Sequence, residues 1–483
     1  MIPSFGESLL FWFGLGWLSF GGPAGQISLM HKTLVEEKKW ISEDKFSHAL
    51  NYCMLLPGPE AQQLATYLGW ILHGTKGGIF AGLLFILPSV LIFIGISTFY
   101  FSYGSLPFVI SFLNGVKPAI LAIILVAFGN LVQKNLKSNG HILCFILTAI
   151  GILFFSIGYP TLLLFSMFFG AVSFYASKKN SLVIDLPFWK RKGLILSKGN
   201  DSLFKQTHND TEENLFSLER SLKKSDVSTF SLEQIDLQTT LDTRRETNSE
   251  ILKNISRIGS IGLVLWALPI FGILFFLKSE FLFWKEMILF FTKTAFLTFG
   301  GAYAILPTVA DFATRQAGWI SANEMIDGLA FGESTPGPLV MILTFIGFLA
   351  GAHKFGGIGS GIFGLLLTAY YTFLPSFIFI LGGASLVEKT KESPFLRVTF
   401  NYVTACVCGV ILYLGIFFAK SIVLESASDW GLWIQNPLAR TKWFSLSWTL
   451  LSVLFLKLKK EYSIFWIFFS GVFFLGIDLL FHL

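Results

Sequence analysis

Charge is scarce in this chain. Asp, Glu, Lys and Arg make up only 14% of its 483 residues. A large water-soluble surface needs more, because charged side chains are the ones that stay outside. Cysteine is scarcer still. Cys53, Cys144, Cys406 and Cys408 lie in or beside apolar segments, and no two form a CxxC pair. That argues against both a disulfide framework and a zinc site. The seven histidines are scattered, with no HExxH spacing. No nucleophile–base pair, metal-ligand set or phosphate loop stands out, so neither an enzyme nor a cofactor is expected. The net charge of +6 carries no stripe of basic residues interleaved with stacking aromatics, so nucleic acid is not an expected partner. No Lys or Arg precedes Lys32, so no cleavable signal peptide is expected.

Apolar sequence is abundant. Hydrophobic residues are 53% of the chain, and long runs such as Gly78 to Tyr100 and Pro118 to Val132 recur throughout. Runs of this kind read as membrane helices. The expected fold class is an all-α polytopic membrane protein.

Two copies of one pattern organise the chain. Phe20-Gly21-Gly22, Trp40-Ile41-Ser42 and Pro57-Gly58-Pro59 return as Phe299-Gly300-Gly301, Trp319-Ile320-Ser321 and Pro336-Gly337-Pro338, each pair 279 positions apart. Leu87-Pro88-Ser89 also returns as Leu374-Pro375-Ser376, and Asn114 as Asn401, now 287 apart. This register is the mark of an internal duplication. Gly-Gly and Pro-Gly-Pro within apolar sequence break helices, and matched breaks in two halves point to a transporter's binding site.

The expected division is a first repeat over 1–176, a polar and mostly disordered cytoplasmic linker over 177–257, an extra membrane helix over 258–282, and a second repeat over 283–483. About 13 crossings are expected if every apolar segment crosses. Two topologies remain open. If each Pro-Gly-Pro segment crosses, seven crossings separate the repeat starts and the second repeat is inverted. If it re-enters, six do, and the repeats are parallel. Inversion is favoured because it places a site at the repeat interface. The lysines of loop 31–44, which would then lie outside, count against it.

The candidate substrate-binding residues follow from the breaks. Gly21, Gly22, Gly300 and Gly301 free backbone N–H groups at helix starts, where the dipole favours an anion. Close helix packing by small residues is the competing explanation. Pro57, Gly58, Pro59, Pro336, Gly337 and Pro338 mark irregular backbone, tolerated at membrane depth only under cover of protein or water. Ser19, Thr298, Ser334 and Thr335 supply hydroxyls. Lys117 and Lys293 supply positive charge, although Lys117 also suits a snorkelling interfacial lysine. Asn114 and Asn401 are symmetric donors or helix caps. Glu60 and Glu333 are the carboxylates beside the breaks and the candidates for proton coupling, since an intramembrane carboxylate is costly. Glu60 equally suits a cap for the helix after Pro59. Asp311, Arg315, Glu324 and Asp327 read as a solvated face.

On these residues the chain resembles the chromate ion transporter family in its long, two-domain form. The resemblance rests on Phe20-Gly21-Gly22-Pro23, Trp40-Ile41, Leu56-Pro57-Gly58-Pro59, Gln63-Leu64-Ala65, Phe299-Gly300-Gly301-Ala302, Gly318-Trp319 and Thr335-Pro336-Gly337-Pro338. It implies proton-driven export of chromate across the bacterial inner membrane, and two halves of opposite orientation. Expected partners are a chromate- or sulfate-like oxyanion, protons and the lipid bilayer, with a homodimer as the candidate assembly. A sulfate or general oxyanion carrier of the same fold is the alternative. The polar linker is longer than the resemblance leads one to expect. Because it is too polar to build a core, deleting Lys192 to Glu246 should leave vesicle transport largely intact. Loss of transport at normal membrane insertion would refute this.

Overall fold

The computed structural model describes residues 3–20, 22–179, 248–387, 394–424, 441–459 and 462–481. Gly21 and most of the expected linker, residues 180–247, lie outside them. The regular elements among the described residues are helices, with one isolated bridge between Leu424 and Thr441. In chain order they are α1 (Phe5–Leu18), α2 (Gly22–His31), α3 (Glu43–Cys53), α4 (Glu60–Tyr103), α5 (Pro107–Asn135), α6 (Asn139–Phe155), α7 (Tyr159–Lys179) and α8 (Asn248–Phe276). Then come α9 (Phe281–Leu297), α10 (Ala302–Asp311), α11 (Ala322–Ser334), α12 (Ile342–Phe355), α13 (Ile358–Val387), α14 (Pro394–Val423), α15 (Trp443–Leu458) and α16 (Ser463–Phe481). Seven of them, α4, α5, α7, α8, α13, α14 and α16, are long and apolar enough to cross a membrane. The chain is an all-α polytopic membrane protein.

Seven helices among the described residues are long and apolar enough to cross, set against the expected 13 crossings. A helix needs about 20 residues to cross, and α1, α2 and α3 have 14, 10 and 11. Contacts instead fold the short helices back in pairs. Glu7 meets Lys38 at 4.0 Å, and the rings of Phe11 and Trp40 lie 5.2 Å apart, so α1 and α2 form a hairpin. In the second half Phe283 meets Trp319 at 6.1 Å, and Phe290 stacks on Phe312 at 4.0 Å, closing α9 on α10 in the same way.

A second hairpin follows in each half. The helix α4 breaks at His73 and Gly74, where φ reaches +64°. Its first arm, 60–72, packs back on its second, 75–103. Small residues permit this approach: a Cβ on Gly69 would lie 2.6 Å from the Gly77 carbonyl oxygen. Gly356, with φ +72°, turns α12 onto α13, and a Cβ on Gly347 would lie 2.7 Å from the Gly364 carbonyl oxygen.

These tips mark two ends of the bundle. Phe5 rests on His73 at 5.5 Å, whereas Trp284 stacks on Phe355 at 5.2 Å beside the Gly356 turn. The second arm of α4 runs antiparallel to α13, since Cβ atoms on Gly78 and Gly82 would meet Leu381 at 3.1 Å and Phe377 at 2.6 Å. The His73–Gly74 tip therefore shares the end where α7 finishes and α8 starts, here called the linker end. The Gly356 tip lies at the far end. The last helices are exchanged between halves: α6 and α7 pack on α14, while α15 and α16 pack on α5.

The hairpin packing is testable in detergent. Gly347→Leu should lower the melting temperature, because overpacking of this kind costs about 1–3 kcal/mol. Gly359→Ala, where an added Cβ meets nothing within 4 Å, should leave it unchanged or slightly raised.

Candidate functional site

The two Pro-Gly-Pro loops end up against the opposite half's glycine break. The Gly58 N–H donates to the Thr298 carbonyl at 2.7 Å, and the Gly337 N–H donates to the Ser19 carbonyl at 2.8 Å. Ser19 and Thr298 occupy matching repeat positions, as do Gly58 and Gly337, so the two bonds form a reciprocal brace. Proline has no N–H, so each loop has one interior donor to give, and each gives it across the repeat interface. The positive φ of Gly58 (+131°) and Gly337 (+110°) requires glycine. Space requires it too, since a Cβ on Gly58 would lie 2.5 Å from Ser376 Oγ and one on Gly337 would overlap Ser89 Oγ.

Depth follows from these neighbours. Ser89 sits midway along the second arm of α4, and Ser376 lies near the middle of α13. Both arms are long enough to cross a bilayer, so the brace lies near mid-depth. Ser89 Oγ donates to the Pro336 carbonyl at 2.7 Å. Buried Gln26 adds a further tie, its Nε2 donating to the Ser19 carbonyl at 3.1 Å and the Gly337 carbonyl at 2.5 Å.

Four helix starts surround the brace. The helices α2, α10, α4 and the turn Leu339–Met341 that leads into α12 all begin within a few residues of it. First-turn N–H groups have no partner inside their own helix, and they carry the positive end of the dipole. At Gly22 and Gly301 an added Cβ would meet nothing within 4 Å. There is open space beside the starts of α2 and α10.

The hydroxyls behave differently from expectation. Ser19, Thr298, Ser334 and Thr335 each donate to the carbonyl four residues back, at 2.6 to 2.7 Å. Among the described residues at the brace, Ser376 Oγ is buried without a partner, as are the Oε1 atoms of Gln26 and Gln63. Sequence reasoning singled out none of Gln26, Ser89, Ser376 or Tyr303 as site residues. The Leu-Pro-Ser repeat was the available signal for the two serines. Gln26 has none, because its matching position is Ile305.

Glu333 is half-buried at the end of α11 and accepts a hydrogen bond from the Tyr303 hydroxyl, on the first turn of α10. Glu60 opens α4, also half-buried, with no hydrogen-bond or ion-pair partner among the described residues. The remaining candidates do not gather at the brace. Asn114 and Asn401 sit near the starts of α5 and α14, which begin at opposite ends. Lys293 is exposed on α9 and lines a different cavity.

Lys117 and Asp327 correct the sequence reading. Asp327 is not on a solvated face. Its side chain is 5% exposed, Lys117 Nζ lies 3.3 Å away, and Tyr100 donates to it at 2.9 Å. The cluster joins half one to half two at the edge of a far-end cavity of about 600 Å³. Glu324 caps α11 through Ser321 and meets His353 at 3.3 Å.

The sequence pattern described as "Chromate transporter" matches residues 6–172 and 285–475, which include every element of the brace. The chain belongs to the chromate transporter family. A "Probable chromate transport protein" of Synechococcus elongatus is 26% identical over 397 residues, 82% of this chain and 80% of the relative. A "Chromate transport protein" of Cupriavidus metallidurans is 26% identical over 422 residues, 87% of this chain and 84% of the relative. The "Uncharacterized transporter YwrB" of Bacillus subtilis is 35% identical over 170 residues, 34% of this chain but 85% of its own length. That relative is about as long as one half of this chromate transporter family member. No solved structure matches the chain.

The buried pair gives a test. Lys117→Met should destabilise by about 3–5 kcal/mol, because it strands a buried carboxylate. Adding Asp327→Asn should restore most of the loss in a thermal-melt double-mutant cycle. Additive single effects would show that the two groups do not interact.

Proposed function

We propose that this protein exports chromate from the bacterial cytoplasm, with the oxyanion held at the brace and export coupled to inward proton movement. The observation that carries the reading is the reciprocal brace itself, with open space at the α2 and α10 helix starts beside it. A dianion leaving water must recover its lost hydration. First-turn N–H groups near Gly22 and Gly301, apart from that of Ala304, which donates to the Gly301 carbonyl at 3.2 Å, together with two dipoles and the Ser376 hydroxyl, supply donors without a fixed counter-charge. The names of the full-length relatives favour chromate over sulfate.

The repeats are inverted in this reading. Support comes from the antiparallel run of α4's second arm and α13, and from the hairpin tips at opposite ends. With the short hairpins re-entrant, five crossings separate the repeat starts: the second arm of α4, then α5, α6, α7 and α8. Five is odd, so re-entry and inversion are compatible after all. Loop 31–44 then falls at the linker end with Lys76, Lys134 and Lys137, which suits a cytoplasmic linker end. Rocking one repeat against the other about the braced breaks would expose the site alternately.

Glu333 and Glu60 are the proposed proton carriers, with Tyr303 positioning Glu333 beside the α10 start. Protonation changes the charge beside the dianion, so proton and anion occupancy of the site are linked, and the pH series reads the sign of that linkage.

The test is chromate flux into inverted vesicles across a pH series, with sulfate as competitor and binding measured on purified protein. Glu333→Gln or Glu60→Gln should flatten the pH profile with the fold intact. Gly301→Leu, which fills the open space at a φ of +94°, should weaken binding on the order of tenfold, about 1.4 kcal/mol. An unchanged pH profile in both Gln variants would reduce the carboxylates to helix caps. Undiminished binding by Gly301→Leu would move the site elsewhere.

A further inference from the structure

A cavity of about 700 Å³ opens at the far end between α9, α10, α14 and the α6–α7 turn. One face of α9 lines it, from Lys285 through Leu289 and Lys293 to Thr294 and Leu297. That line rises about 1.5 Å per residue and ends at the Phe299–Gly301 break. Tyr159 also lines the cavity, and its hydroxyl donates to the Phe299 carbonyl at 3.4 Å. The cavity therefore shares a wall with the brace.

Its charges are unevenly partnered. Arg315 pairs with Asp311 at 3.2 Å. Lys285 and Lys293 have no carboxylate within 4.0 Å among the described residues, although Glu286 also lines the wall. The matching positions of the first repeat make the contrast. Lys285 and Lys293 correspond to Gly6 and Gly14, Asp311 to Lys32, and Arg315 to Glu36. The charges there are partnered: Glu7 with Lys38, Lys32 with Glu37, and Glu36 with His31. The duplication therefore left two free ammonium groups on one mouth and none at the matching positions of the other.

We propose that this cavity is a second oxyanion site, a staging position for a tetrahedral dianion between the brace and the water at the far end. Lys285 and Lys293 are its recognition groups. It rests on the reading of the brace as the transport site, and names the route by which that site meets one side of the membrane. Two unpaired lysines on a water-filled wall raise the local concentration of a dianion, and salt screens the effect. Lys293 directly precedes Thr294 and lies six residues, about 9 Å along the helix, before the Phe299 break, so the ammonium stands close to the backbone donors.

The four native cysteines are buried, so one introduced thiol reports alone. Thr308→Cys places it on the cavity wall. It should react about tenfold faster with a negatively charged methanethiosulfonate than with a positively charged one, each rate normalised to a free thiol. Lys285→Gln with Lys293→Gln should erase that preference, as should high salt, and millimolar sulfate should slow the reaction. In vesicles, the double variant should lose chromate flux several-fold at low salt and recover at high salt. Equal rates with both reagents, a preference that survives the double variant, or a thiol neither reagent reaches would overturn the proposal. A preserved preference for the negative reagent in a protein that carries no chromate would refute the transport reading and leave the anion site standing.

Discussion

Two hydrogen bonds between repeats hold the rest of this structure in place. Each runs from the lone interior donor of a Pro-Gly-Pro loop to the carbonyl that ends a half-helix in the other repeat. At membrane depth an unsatisfied backbone group is costly, so neither loop has a stable position without its partner break. This explains why both motifs recur together. The loops and breaks are two halves of one contact, made twice. It also explains why glycine stands between the prolines, with a serine of the opposite repeat filling the space a side chain would need.

The brace divides the backbone donors into two classes. Those of Gly58 and Gly337 are structural and already used. Those at the starts of α2 and α10 face open space. Charge appears at the periphery, as the Lys117–Asp327 pair and as the free lysines of α9.

Much of this was legible in the sequence. The apolar runs gave the class, and the motifs kept at constant spacing placed the helix breaks. Contacts across the repeat interface were not legible, because no local pattern says which loop meets which carbonyl. For this reason the use of the Gly58 and Gly337 donors on the Thr298 and Ser19 carbonyls could not be foreseen. Asp327 misled for a related one: on a polar stretch of α11 it looks solvated, and only the approach of α4 and α5 buries it. Apolar composition alone does not set helix length, so it does not separate a short packed helix from one long enough to cross. Lengths of 10 to 14 residues in α1 and α2 carried that information.

The exchanged hairpins bear on how the chain is made. The helices α6 and α7 rest on α14, which begins more than 200 residues after α7 ends. At about 5–20 residues per second, the ribosome needs tens of seconds to deliver that partner. Through this interval the first repeat sits in the membrane with one flank uncovered, and α5 waits longer still for α15 and α16. Assembly of the halves is therefore a late event, and the newly inserted first half depends on lipid, or on a helper, to cover that flank until the second arrives.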